Sequence, residues 1–235
     1  MQNGIKRKKF TQTAAIIGAT GLIGSRLLKL LQNNSYFSSI RVLSRRPVSI
    51  SDPKTVVRVI DFADEEEFRD AVAGSDALFC AVGTTQKKVD GDEEAYRKVD
   101  YDIPVNASRY CAETGCPKFL IVSSVGADSS SGNFYLKLKG EVEDAVKVSG
   151  VPSVSIFRPS ILLGKRDESR PGETFGKIVM SAFSFLLPSR IKPVDASVVA
   201  GAMLAAAKSG KIGAEIYQYN ELMKLNSELK QYYRL

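Results

Sequence analysis

Histidine is missing from the 235-residue chain altogether, and so is tryptophan. Without an imidazole, both a Ser-His-Asp hydrolase and a histidine-based dehydrogenase are excluded. Any acid or base must then be Tyr, Lys, Asp, Glu or Cys. Cysteine is scarce: Cys80, Cys111 and Cys116 are odd in number, show no CxxC spacing and have no histidine to join. That pattern argues against both a zinc site and a disulfide framework, and no metal is expected. Long apolar runs are lacking too. The longest late one, Ile178 to Leu187, contains serines and falls short of the ~18 residues a membrane span needs.

What is present is ordinary globular material, with 44% hydrophobic and 25% charged residues, enough apolar surface for one α/β core at this length. The formal charge of +7 hints at a polyanionic partner, but Lys6, Arg7, Lys8 and Lys9 supply four of those charges in a short N-terminal arm. Only +3 remains for the rest, too little for a nucleic-acid-binding face, and Phe10 is the only aromatic residue beside the arm. Residues 1–12 read as a flexible basic arm and 13–235 as the folded domain. The arm and the following Ala14–Ile17 imitate a secretory leader, but glycines and charges follow at once, which fits a strand, turn and helix better. A soluble, cytoplasmic protein is expected.

Short β-rich runs alternate with helical patterns. Strand candidates are Thr13–Ile17, Ile40–Leu43, Val56–Ile60, Ala77–Val82, Lys118–Val122 and Val154–Phe157, with Glu215–Tyr219 as the last. Helical patterns run at Leu22–Gln32, Glu65–Ala73, Glu93–Thr114, Tyr135–Val148 and Ala196–Ala207, and from Leu225 into the tail; Pro104 should kink or split the third. This alternation predicts a single-domain Rossmann fold, a doubly wound parallel sheet of about seven strands with helices on both faces. Residues 163–193 stand apart as a late insertion of the kind that shapes a substrate site.

The run Gly18-Ala19-Thr20-Gly21-Leu22-Ile23-Gly24 follows an apolar strand and opens a helix. There, backbone N–H groups and the helix dipole face a pyrophosphate with no Cβ in the way, so Gly18, Thr20, Gly21, Leu22, Ile23 and Gly24 are candidate cofactor contacts. An NAD-preferring protein carries Asp or Glu about 20 residues past the glycines. Here Ser44-Arg45-Arg46 stands at that strand end, a set suited to the 2′-phosphate of NADP. Asp61 and Phe62 after the third strand are expected beside the adenine, and Val82, Gly83 and Thr84 after the fourth beneath the ribose and nicotinamide.

Tyr135 and Lys139 are four residues apart on a helical pattern and share a face. They follow a strand ending in Ser123-Ser124. A serine hydroxyl, a tyrosine acidified by a neighbouring ammonium and a nearby nicotinamide together make a carbonyl-reducing site.

With these elements the chain resembles the short-chain dehydrogenase/reductases, and more narrowly the atypical group typified by the Tat-interactive protein, over roughly Thr13 to Leu222. The resemblance rests on Gly18–Gly24, Arg45-Arg46, Gly83–Thr85, Ser123-Ser124 with Gly126–Asp128, Tyr135–Glu143, Phe157–Pro159 and Arg166–Glu173. It implies that Tyr135 is the general acid/base, that Lys139 lowers its pKa and holds the nicotinamide ribose, and that Ser124, or failing it Ser123, polarises a substrate carbonyl. It further implies that Leu162 and Arg170 close over the cofactor. Pro159 is a further candidate contact, and the charged Arg166–Glu173 segment with its Pro-Gly turn is expected to act as a lid. One position departs from the pattern: many members carry Asn on the helix after the fourth strand, and Asp100 stands there.

The expected function is hydride transfer between NADP(H) and a small carbonyl or alcohol substrate. The alternative is an NADP(H)-sensing regulatory protein with little turnover and a protein partner. Either a monomer or a homodimer is compatible with the sequence.

Overall fold

The computed structural model describes residues 12–85, 89–164 and 192–233. Seven strands, β1 (Gln12–Ile17), β2 (Phe37–Ser44), β3 (Thr55–Val59), β4 (Ala77–Cys80), β5 (Lys118–Val122), β6 (Ser153–Phe157) and β9 (Gly213–Tyr217), form one sheet. Their order is β3-β2-β1-β4-β5-β6-β9, and every pairing is parallel. A separate two-stranded parallel pair joins β7 (Leu162–Leu163) to β8 (Val194–Asp195). This is the single-domain Rossmann arrangement the sequence predicts, with the small pair as an addition.

The central strands are apolar on both faces because both are covered. In β1 the period-two alternation sends Ala14 and Ile16 into one core and Ala15 and Ile17 into the other. The first core is closed by α1 (Gly24–Gln32), whose Leu27, Leu28 and Leu31 recur at helical spacing, and by α6 (Ala196–Lys208) and α7 (Tyr219–Tyr233). The second is closed by α2 (Glu65–Val72), α4 (Ile103–Thr114) and α5 (Phe134–Lys147), which bring Phe68, Tyr110 and Val142 against Phe119 and Ile156.

Local chemistry sets the element ends. Asp64, Asn133 and Asp195 cap α2, α5 and α6 by accepting backbone N–H groups of Glu67, Leu136 and Ser197. Gly115, at φ 74°, closes α4 in the left-handed region. The third helical stretch is broken, as Pro104 foretells: α3 (Glu93–Arg97) runs into a π-helical segment, Lys98–Asp102, before α4 begins. Pro104 lies in the first turn of α4, where its missing N–H costs no hydrogen bond. The π segment adds a residue to the helical path and turns Asp100 inward, where it is buried.

Other boundaries differ from expectation. β4 stops at Cys80 rather than Val82, β2 starts three residues earlier at Phe37, and the tail helix starts at Tyr219 rather than Leu225. Leu22 and Ile23 belong to the turn before α1, not to the helix. The basic arm up to residue 11 and most of the late insertion, Arg170 and the Arg166–Glu173 segment included, lie outside the described residues. Among the described residues no helix is long and apolar enough to cross a membrane.

Candidate active site at the carboxyl edge of the sheet

In an all-parallel sheet the chain leaves every strand on the same edge, and the order places those exits in a row. From one side to the other run Asp61-Phe62 after β3, Ser44–Arg46 at and after β2, and the glycine turn after β1. Val82–Thr84 after β4, Ser123-Ser124 after β5 and Pro159 after β6 complete the row. The order reverses direction between β1 and β4, and ligands of such sheets bind in the crevice that opens there.

The glycine turn is built for that crevice. Gly18 sits at φ 84°, and a Cβ on it would lie 2.6 Å from the carbonyl of Ala81, so the β1 exit and the β4 exit touch backbone to backbone. A Cβ on Gly24 would lie 2.0 Å from the Gly18 carbonyl oxygen. Gly21 closes the turn by donating its N–H to Gly18 at 3.0 Å. No side chain caps α1 at Ile23, and its first turn holds no acidic residue. Its leading N–H groups therefore suit an anion, and the turn fits the diphosphate of a dinucleotide.

At the β2–β3 end of the row, Arg45 and Arg46 are exposed, and the Ser44 hydroxyl donates to the Arg46 carbonyl at 2.7 Å, shaping the bend after β2. Arg45 lines an open hollow with Val59, Ile60, Asp61 and Glu67. The Glu67 carboxylate takes the Asp61 N–H at 2.8 Å. Phe62 leans edge-on against Phe68 with ring centroids 4.9 Å apart, partly buried against the second core.

The other end carries the titratable groups. Tyr135 stands in the first turn of α5, 37% exposed. One turn on, Lys139 is buried, with Nζ 5.9 Å from the Tyr135 ring centroid. Its Nζ donates to Asp100 Oδ1 at 2.8 Å, while Asp100 Oδ2 accepts the backbone N–H of Thr84 at 2.7 Å. Burial alone would lower the Lys139 pKa; the carboxylate of Asp100 outweighs it, with help from Tyr135, and the net direction is upward. Burial pushes the neighbouring Cys80 thiol up to about 12, leaving it no thiolate at neutral pH. Burial and Asp100 likewise raise the pKa of Tyr96 on α3.

The two serines are unequal. The Ser123 hydroxyl donates to Glu143 Oε1 at 2.6 Å inside the protein, and that carboxylate also takes Nε and a terminal NH2 of Arg158 at 2.8 and 2.6 Å. Among the described residues the Ser124 hydroxyl has only the carbonyl of Val125, at 3.2 Å. Backbone bonds from Ser123 to Phe157 and from Val125 to Pro159, at 2.7 and 3.0 Å, lace this segment to the β6 exit. Leu162 lies just beyond, half-buried in β7.

Glu143 and Arg158 appear in the sequence only as parts of longer motifs, yet they fix the site's floor. Glu143 follows Lys139 by four residues on α5, so it shares a face already known to point inward, and a charge there calls for a partner. Among the described residues no group of three or more Cys, Asp or Glu side chains is arranged to hold a metal ion.

The profile of the NAD(P)H-binding family matches residues 18–177. The chain belongs to this family. Within it, the chain is 36% identical to Protein HTATIP2 of Rattus norvegicus over 169 residues, 71% of this chain and 69% of that protein. It is 32% identical to "Protein FMP52, mitochondrial" of Candida albicans over 204 residues, covering 83% and 87%. These relatives place it in the atypical short-chain dehydrogenase/reductase group. Among solved structures it shares its fold with MoeE5 in complex with UDP-glucose and NAD, at a TM-score of 0.66 and 16% identity over 93% of this chain and 82% of that one. One expectation is corrected by these relatives. A cytoplasmic location does not stand, because FMP52 proteins of several fungi carry a mitochondrial name.

Proposed function

We propose that this chain is an NADP(H)-dependent oxidoreductase acting on a carbonyl or alcohol substrate, with Tyr135 as general acid/base. The observation that carries the reading is the layering on α5: an exposed phenol one turn before a buried lysine, whose partner Asp100 also holds the β4 loop. NADP(H), when bound, supplies or accepts the hydride. The glycine turn, Gly18, Thr20, Gly21, Leu22, Ile23 and Gly24, grips its diphosphate. Val82, Gly83, Thr84, Pro159 and Leu162 frame the far end. Tyr135 gives a proton to the carbonyl oxygen in reduction and takes it back in oxidation. Ser124 donates its hydroxyl hydrogen to the same oxygen, and Lys139 bonds the ribose hydroxyls and stabilises the deprotonated phenol.

Preference for NADP(H) rests on Ser44, Arg45 and Arg46 at the β2 exit, where a carboxylate would repel a 2′-phosphate. Asp61, across the hollow from Arg45, is left to the adenine edge with Phe62. The names of the fungal relatives support a mitochondrial location for this chain as well. The deciding experiment is NADPH oxidation with a panel of aldehydes and ketones, wild type against Tyr135→Phe. Substrate-dependent oxidation by the wild type alone supports the reading. Equal rates would remove Tyr135 from it, and no turnover despite tight NADPH binding would favour a sensing role.

A further inference from the structure

Asp100 is a buried carboxylate that touches two parts of the site at once. It reaches them only because the π segment turns it inward between α3 and α4. One oxygen holds the Lys139 ammonium at 2.8 Å, and the other holds the Thr84 N–H at 2.7 Å. The two carboxylate oxygens thus join α5 to the loop leaving β4. A Cβ on Gly83 would stand 3.5 Å from Oδ1, so the loop lies directly against the pair. An Asn at this position would accept the same Thr84 N–H but bring no charge.

We propose that Asp100 is a positioning residue whose carboxylate keeps the buried Lys139 charged and aimed at the ribose-binding side of the crevice, while fixing the β4 loop to α5. In water a lysine needs no such help, but a desolvated ammonium does, and only an opposite charge supplies it. The groups facing Lys139 are Asp100 from the π segment, Tyr135 from its own helix and Cys80 from β4, with Tyr96 of α3 close to Asp100. Of these groups Asp100 is the only carboxylate, and it is the one bonded to the ammonium, at 2.8 Å. The lysine's tasks in catalysis follow from the proposed oxidoreductase reading; its charge state does not, and the test separates them.

The test follows the Lys139 side-chain amine by NMR with labelled lysine in the full chain, assigned through Lys139→Arg, and titrates it in the wild type and in Asp100→Asn. The wild-type amine should hold its proton beyond the ordinary lysine range. In Asp100→Asn, where burial is no longer opposed, the midpoint should fall by about one pH unit or more. NADPH affinity should then weaken about tenfold between neutral and alkaline pH in the variant and stay level in the wild type. A merely structural acceptor for Thr84 would be rescued by Asn in both measurements, so an unchanged midpoint and level affinity in Asp100→Asn overturn the proposal. Should the variant not fold, the wild type alone decides: an amine that loses its proton below the ordinary lysine value overturns it. If wild type and variant both fail to bind NADPH, the cofactor reading fails while the amine titration still decides the role of Asp100.

Discussion

Glu143 and Arg158 meet as a two-pronged pair, both guanidinium contacts at 2.8 Å or less, with the carboxylate wholly enclosed and the arginine 19% exposed. The pair ties α5 to the end of β6, directly beneath the Ser123-Ser124 bend. Removing one partner strands the other. Arg158→Ala should cost about 3 kcal/mol of unfolding free energy, the low end for a broken buried pair, because the Ser123 hydroxyl and the more distant Lys147 ammonium at 3.8 Å still face Glu143. Urea unfolding measures it, and a loss under about 1 kcal/mol would mean that Glu143 is solvated after all.

The two serines should separate into stability and chemistry. Ser123→Ala removes a donor to Glu143 and should lower stability by about 1.5 kcal/mol, the low end for a bond to a charged group because Arg158 still holds the carboxylate, with turnover close to wild type. Ser124→Ala should do the reverse, lowering kcat by about tenfold or more with an unchanged melting temperature. Paired measurements on both variants check this. A larger loss of kcat in Ser123→Ala would move the carbonyl-polarising role to that residue.

Arg45→Ala should weaken NADPH binding at least tenfold, since a charge-assisted contact to a phosphate contributes roughly 1.5–3 kcal/mol. NADH affinity should barely move, as it has no 2′-phosphate to lose. Titration calorimetry with both nucleotides decides the matter, and equal wild-type affinity for NADPH and NADH would remove the specificity argument.

The parts legible in the sequence were those whose cause is local. The glycine turn, the alternation of strand and helix, and the break at Pro104 each depend on a few adjacent residues, and each lies where the pattern puts it. The first residues of β2 escaped because Ser38 and Ser39 interrupt its apolar run, although Phe37 is buried in the core. The β7–β8 pair escaped because two-residue strands carry no period, and their partners are some thirty positions apart in the chain. The contacts that organise the candidate site join residues far apart: Asp100 reaches Lys139 across 39 positions, and Ser123 reaches Glu143 across 20. Spacing identifies a shared helical face. It does not say which distant carboxylate meets that face.

Gly140 offers a test of how closely α5 is held. A Cβ there would stand 2.0 Å from the Ser129 nitrogen and 2.2 Å from the Asp128 carbonyl carbon, both backbone atoms with no rotamer to yield. Ala favours a helix interior over Gly by up to about 1 kcal/mol, so propensity alone predicts a more stable protein. Overpacking opposes it, at about 1–3 kcal/mol, and because backbone meets backbone the upper part of that range should apply. Gly140→Ala should therefore destabilise despite the better helix former. It should also push the first turns of α5 away from the 128–129 loop, shifting Tyr135 and Lys139 and weakening NADPH binding. Gly132→Ala, where a Cβ meets nothing within 4 Å and φ is unexceptional, is the matched control and should change stability by less than about 0.5 kcal/mol. If thermal unfolding finds the two variants equal, α5 has room that the packing denies.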